Sequence, residues 1–273
     1  KVLNMEKLEE ILFAPTSNDD AVAKLREEGY VNLGKMLTDK QISEVLAYFS
    51  KKKGYPNHIA STKTQQKSTP DFMPAIRDNG NYWCSFTASD SLRCPHLLDI
   101  LKSPQLIDIV SKYLGCLPSI YCVNTWWTFK NQLKIAPIAQ RFHRDPDDFR
   151  FVAFFLYLSN TEEGNGSHEM VRKSHDYDLT ISHLHDLCKR HLIDDYQIKH
   201  FIEMSLYEDG NTPQLDNFIT DFLSNDIIDL HGKAGTAFLE DTWSLHRAVP
   251  FANKDRLVIW CRYGISPNSE TCL

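Results

Sequence analysis

The chain has no apolar run approaching the ~18 residues that a membrane-crossing helix needs, so a bilayer span is not expected. It has seven cysteines (Cys84, Cys94, Cys116, Cys122, Cys188, Cys261 and Cys272), and no two of them form a C-x-x-C pair. That spacing argues against a zinc knuckle or dithiol redox centre, and the plain expectation is reduced thiols. Basic charge is also scarce: 30 Lys and Arg face 36 Asp and Glu, a net charge of −6. Lys51, Lys52 and Lys53 form the one basic run and read as a solvated helix end, so no nucleic-acid partner is expected. There is no internal repeat and no low-complexity stretch, which excludes solenoids. The opening residues, KVLNMEKLEE, are charged and lack the apolar core of a secretory signal. Together with reduced thiols, they make a cytoplasmic location the expectation.

What is present is the composition of a globular domain, 42% hydrophobic and 24% charged over 273 residues. Residues 19–28 (DDAVAKLREE) read as a helix closed by Gly29, followed by a short strand at 30–33. Thr38 and Gln41 form a T-x-x-Q capping box for a helix running to about Lys52. Residues 53–81 are polar and punctuated by Pro and Gly, and a loop that long reads as either disordered or functional, often an active-site cover. Residues 95–114 return to helical spacing.

From about residue 118 the pattern changes to β. The segments 120–129, 151–158, 235–239 and 256–263 are β-branched and aromatic, as in a sandwich or barrel. Between about 176 and 226 helical spacing returns. No flexible linkers bound that stretch, so it reads as an insertion within one domain covering 1–273, with 1–117 a mostly helical N-terminal part.

The chemistry sits in two short motifs 103 residues apart. His143-Arg144-Asp145 is one; His246, followed ten residues later by Arg256, is the other. In a strand, residues two apart face one side, so His143 and Asp145 can point inward together while Arg144 turns away. Two imidazoles and a carboxylate cover one face of an octahedral Fe(II) and leave positions open for a co-substrate and oxygen. His143, Asp145 and His246 are therefore the candidate metal ligands and catalytic centre. Arg256, Val258, Trp260 and Arg262 share a strand face, and the Arg256 guanidinium can grip a carboxylate at two points.

Each piece alone is common. The tripeptide H-R-D also occurs in protein kinases, but there is no following L-x-x-x-N, no D-F-G and no glycine-rich loop. Arg262 needs a partner if it faces inward, either an acid such as Asp241 or an anionic substrate. Cys122, Asn124 and Trp126 also share a face, and Trp126, Trp127 and Trp260 read as barrel core. His168 and His175 are expected to support the structure around the ligands. His183, His185, His191 and His200 lie in the helical insertion and read as surface residues.

Four segments together resemble the phytanoyl-CoA dioxygenase (PhyH-like) family of Fe(II)/2-oxoglutarate-dependent oxygenases. GYVNLGKMLTDKQISEVL is similar to that family's N-terminal segment, and HRDPDDFRFVAFFLYLSN to its first metal motif and next strand. EGNGSHEMVRKSH is similar to a stretch that usually ends in P-G-S-H, and AGTAFLEDTWSLHRAVPFANKDRLVIWCRYG to the closing strands. Arg172-Lys173 stands where the family has P-G, and Ala248 where it often has a hydroxyl residue.

The resemblance implies a double-stranded β-helix, a jelly-roll barrel of the cupin type, with flanking helices. It implies Fe(II), 2-oxoglutarate and O2 as cofactor and co-substrates, with ascorbate stimulatory. Arg256 would bind 2-oxoglutarate, and Asn124 occupies a position where some relatives place an amide against it. The reaction implied is hydroxylation of a small organic substrate, with release of succinate and CO2. Desaturation, cyclisation or epimerisation from the same site is the alternative, or a non-catalytic metabolite-binding jelly roll.

Overall fold

The structure is a computed structural model, and it describes residues 15–56, 83–130, 140–206, 212–249 and 254–265. Helix α1 (Asn18–Glu28) starts at Ser17, whose hydroxyl accepts from the Asp20 N–H. It stops at Gly29, whose φ of 84° is costly for any residue with a Cβ. Strand β1 (Tyr30–Lys35) follows, then α2 (Asp39–Ser50), opened by the full Thr38/Gln41 capping box. After β2 (Tyr55–Pro56) and β3 (Trp83–Phe86), the expected helix over 95–114 is two helices. A short α3 (Ala88–Arg93) precedes them; they are α4 (Leu97–Leu101) and α5 (Pro104–Leu114). Pro104 has no N–H and its ring disfavours helical geometry in the residue before it, so it breaks one helix and starts the next.

Strands β4 (Ser119–Thr128), β5 (Phe151–Tyr157) and β6 (His168–Val171) come next. The helical insertion is α6 (Tyr177–Lys189), α7 (Asp195–Leu206) and α8 (Pro213–Phe222), close to the expected bounds. The chain closes with β7 (Ile227–Leu230), β8 (Thr236–Glu240), β9 (His246–Ala248) and β10 (Arg256–Gly264).

Among the described residues two antiparallel sheets result, with orders β1-β8-β5-β10-β4-β3-β2 and β7-β6-β9. From β5 to β10 the chain passes back and forth between them, β5, β8 and β10 in one and the consecutive β6 and β7, with β9, in the other. This is the jelly-roll barrel with flanking helices that the resemblance implied.

Three apolar clusters hold it. The inner cluster joins the sheets through Phe155, Tyr157 and Val258 on one side and Met170, Ile228 and Leu230 on the other. A second cluster packs α1, α2 and α5 on the outer face of the large sheet. The third packs the insertion against Phe142 and Leu245, the residues immediately before His143 and His246. The insertion thus braces both ligand segments from behind, through Leu184, Phe201 and Ile219.

Among the described cysteines, Cys84, Cys94, Cys116, Cys188 and Cys261 carry free thiols. Cys122 is disulfide-bonded, which departs from the expectation of reduced thiols throughout.

Candidate metal centre

His143 and His246 face each other across a single antiparallel bridge. Each backbone N–H donates to the other's carbonyl at 3.0 Å. His246 opens β9, but His143 and Asp145 lie on an irregular segment and not on a regular strand as expected. Pro146 supplies a reason, since it has no N–H to extend a ladder past Asp145. The Asp145 N–H still donates to the Thr242 carbonyl at 2.9 Å, which fixes the carboxylate-bearing residue against the His246 loop.

Arg144 turns away, as its position in the tripeptide predicts. Its guanidinium donates to the carbonyls of Ser174 and Trp243. That clamp holds the loop before His246 from the outside. Ser174 adds a second tie, accepting from the Leu245 N–H at 2.8 Å.

The three ligand-type side chains converge. One nitrogen or oxygen from each of His143, Asp145 and His246 lies within 4.8 Å of the others. Both His143 Nε2 and His246 Nε2 are 3.7 Å from an Asp145 oxygen, on Oδ1 and Oδ2 respectively. Two ligands about 2.1 Å from one ion and at right angles lie about 3.0 Å apart, so a small inward movement suffices.

The imidazoles are also set in the right tautomer. His143 Nδ1 lies 2.8 Å from the Arg141 carbonyl, and His246 Nδ1 2.9 Å from the Ser244 carbonyl. A carbonyl only accepts, so each Nδ1 carries the proton and each Nε2 keeps its lone pair.

The electrostatics favour the ligating forms. Burial and the neighbouring His143 push the His246 imidazolium down to about 4, so the ring is neutral at neutral pH. Burial pushes the Asp145 carboxyl up, but the Arg262 guanidinium leads the opposing charges and holds it at about 2. A neutral imidazole and an ionised carboxylate are what a divalent cation takes.

Arg262 is the partner of this carboxylate. Its Nη2 lies 2.7 Å from Asp145 Oδ2, and its Nη1 meets Asp147. The expected partner, Asp241, instead accepts from the Tyr113 hydroxyl at 2.5 Å. Arg256 lies on the same face of β10, six residues away, and is equally buried. It donates to the Gly166 carbonyl and has no carboxylate partner among the described residues. Its Nε is buried without an acceptor. Arg247, beside the candidate ligand His246, turns outward to Glu169 at 2.8 Å.

A cavity of about 190 Å³ opens beside the triad. Asn124, Trp126 and Trp260 line it, with Phe155, Trp83 and Arg262; Arg256 does not. The Asn124 amide donates only weakly, to the Cys122 sulfur at 3.4 Å. Trp127, one residue from Trp126, faces the other way and packs with the outer cluster.

His168 also reaches this cavity, stacked on His246 with ring centroids 5.3 Å apart. Behind it is Glu240, fully buried, with Oε2 2.6 Å from His168 Nε2. Burial raises the Glu240 carboxyl to about 8 and lowers the His168 imidazolium to about 3. Both shifts favour the uncharged forms, so the contact is a neutral carboxylic acid against a neutral imidazole. Sequence reading missed Glu240. The signal was there: it continues the inward alternation of Phe238 on β8.

His175 holds the Arg26 carbonyl at 3.0 Å, a structural tie to α1. His183, His185 and His191 are exposed and His200 is half-buried, and none lines the cavity. The expected cover at 53–81 falls largely at 57–82, outside the described residues.

Comparison with solved structures places the chain among jelly-roll proteins. SnoN, the non-heme alpha ketoglutarate dependent epimerase from nogalamycin biosynthesis, matches over 90% of this chain and 82% of its own, with 14% identity and TM-score 0.55. SnoK, the carbocyclase of that biosynthesis, matches over 92% and 87%, with 13% identity and TM-score 0.51. HygX from Streptomyces hygroscopicus, solved with nickel and 2-oxoglutarate bound, matches over 90% and 87%, with 10% identity and TM-score 0.54. At these identities the likeness is one of fold. No protein-family model matches the chain, and no curated protein does.

Proposed function

We propose that this chain is an Fe(II)/2-oxoglutarate-dependent oxygenase that hydroxylates a small organic substrate and releases succinate and CO2. The observation that carries the reading is the convergence of His143, Asp145 and His246 with both Nε2 lone pairs unprotonated. That donor set suits Fe(II), and bound iron with 2-oxoglutarate and O2 would supply the oxidising chemistry.

The chain's own residues supply the rest. His143, Asp145 and His246 hold the ion on one face. Arg256, a buried cation without a carboxylate partner among the described residues, would take the far carboxylate of 2-oxoglutarate. Asn124 offers its amide toward the co-substrate from the cavity wall. Trp83, Trp126, Phe155 and Trp260 keep water from the reacting centre.

SnoN and SnoK are described as an epimerase and a carbocyclase. Their shared fold favours keeping epimerisation and cyclisation as the second reading of the same site. Within this reading the chain is one oxygenase domain, and its four motif segments support a place near the phytanoyl-CoA dioxygenase family. The five free thiols among the described cysteines support a cytoplasmic location, and the disulfide at Cys122 counts against it.

The test has two readouts. Protein supplied with Fe(II), 2-oxoglutarate and ascorbate in air is expected to release succinate, more so with substrate. His143→Ala is expected to abolish both succinate release and the binding of Ni(II) as a stand-in ion, with an unchanged circular dichroism spectrum. Ni(II) binding that survives in both His143→Ala and Asp145→Ala would overturn the assignment.

A further inference from the structure

We infer that the substrate is uncharged at the end that enters the site, flat and unsaturated there, and bears a hydrogen-bond acceptor; this rests on the oxygenase reading above. The argument begins with what the cavity wall lacks. Arg262 is the one arginine or lysine lining it among the described residues, and it is spoken for twice, by Asp145 and by Asp147. An anionic group entering here meets no free cation. It meets Asp145, a carboxylate that already shares that guanidinium. A carboxylate, phosphate or coenzyme A thioester that placed its charge at this wall would be desolvated without a partner.

A cationic end fares no better. The Trp260 ring, which would attract it, already carries the Arg262 guanidinium 3.8 Å from its centroid. An uncharged group is what remains.

The shape follows from the rings. Trp83 and Trp126 lie 5.8 Å apart between centroids, and Trp126 meets Trp260 edge-on at 6.1 Å. Phe155 continues the wall at 6.5 Å from Trp260. Such a run presents ring faces and edges together, the surface on which another π-system gains most beyond plain burial. A dry cavity of roughly 150 Å³ holds a benzene. The 190 Å³ here, shared with the co-substrate at Asn124, therefore takes only the reacting end of a substrate, about one ring, with the remainder toward the opening.

The acceptor is called for by one atom. The Trp260 indole N–H is buried and has no acceptor among the described residues. An oxygen on the ligand would relieve that cost.

The experiment uses the full chain loaded with Ni(II) and 2-oxoglutarate, which cannot turn over, and calorimetric titration. The probes are 2-acetylnaphthalene, its near-isosteric anion 2-naphthoate, the saturated ketone cyclohexyl methyl ketone, and acetyl-coenzyme A. The ketone of naphthalene is expected to bind at least tenfold tighter than each of the other three. Trp126→Ala is expected to lose that preference, and Trp126→Phe to keep most of it with an unchanged melting temperature. Equal or tighter binding of 2-naphthoate or acetyl-coenzyme A, or no binding of the naphthalene ketone, would overturn the inference. The series is repeated on metal-free protein beside a separate Ni(II) titration. A protein that fails to bind Ni(II) sinks the oxygenase reading, while the probe series still reports on the wall.

Discussion

Arg262 and Arg256 sit on one strand, on one face, both buried, and their surroundings are opposite. Arg262 lies between two carboxylates and stacks on Trp260. Arg256 meets a backbone carbonyl and no carboxylate among the described residues, while the Nε of each arginine is buried without an acceptor. Burial depresses both guanidinium groups, but Asp145 works against that at Arg262, and at Arg256 only Tyr157 does. The difference teaches how to tell a structural cation from a waiting one. A buried charge that the fold has already matched belongs to the fold. One left unmatched raises the cost of the empty protein and is explained by a ligand that completes it.

The largest expected effect is on stability, from one substitution made at both positions. Arg262→Met strands Asp145 and Asp147 beside each other, and we expect a loss of about 3–5 kcal/mol in denaturant unfolding of the metal-free protein. Arg256→Met removes an uncompensated buried charge and is expected to leave stability unchanged or higher. Equal losses at the two positions would erase the distinction.

The next effect is on the co-substrate. Arg256→Lys keeps the charge and loses the planar fork. The 2-oxoglutarate concentration needed for half-maximal succinate release is expected to rise tenfold or more, about 1.4 kcal/mol. A normal requirement in Arg256→Lys would shift the co-substrate role toward Arg262, which would then have to leave its acids.

The smallest effect concerns a third buried ionisable group. Glu240 is raised to about 8, chiefly by burial, from an ordinary 4.5. The folded state therefore holds its proton more tightly than the unfolded chain. The stability this contributes is full below about 4.5 and is lost as pH rises through about 8. Metal-free Glu240→Gln is expected to lose less stability than the parent between pH 5 and 8. Parallel pH profiles for the two proteins would show that Glu240 ionises freely in the fold.

These contrasts also mark what the sequence could show. Thr38, Gln41 and Gly29 announce helix ends because caps are local. His143, Asp145 and His246 were legible because residue type, order and spacing together are rarer than any one of them. Arg262 was legible as an inward cation needing a partner. Its partner was not, because Asp147 reaches it only through the packing of β10 against the irregular segment after Pro146. The bridge between His143 and His246 is likewise a tertiary fact, and no period in either segment encodes it. Pro104, by contrast, was a local signal that divides 95–114 into two helices.

The His143–His246 bridge has a further consequence, for purification. Backbone hydrogen bonds join the two candidate ligand segments without help from an ion, so on the proposed reading little ordering is left for a metal to drive. A site built in advance from imidazole and carboxylate ranks divalent ions by their intrinsic affinity, and Fe(II) stands low in that order, below cobalt, nickel, copper and zinc. Protein made without surplus iron is thus expected to arrive carrying a competitor. Elemental analysis should come before any assay, because a silent preparation would report which ion was captured and not what the enzyme can do.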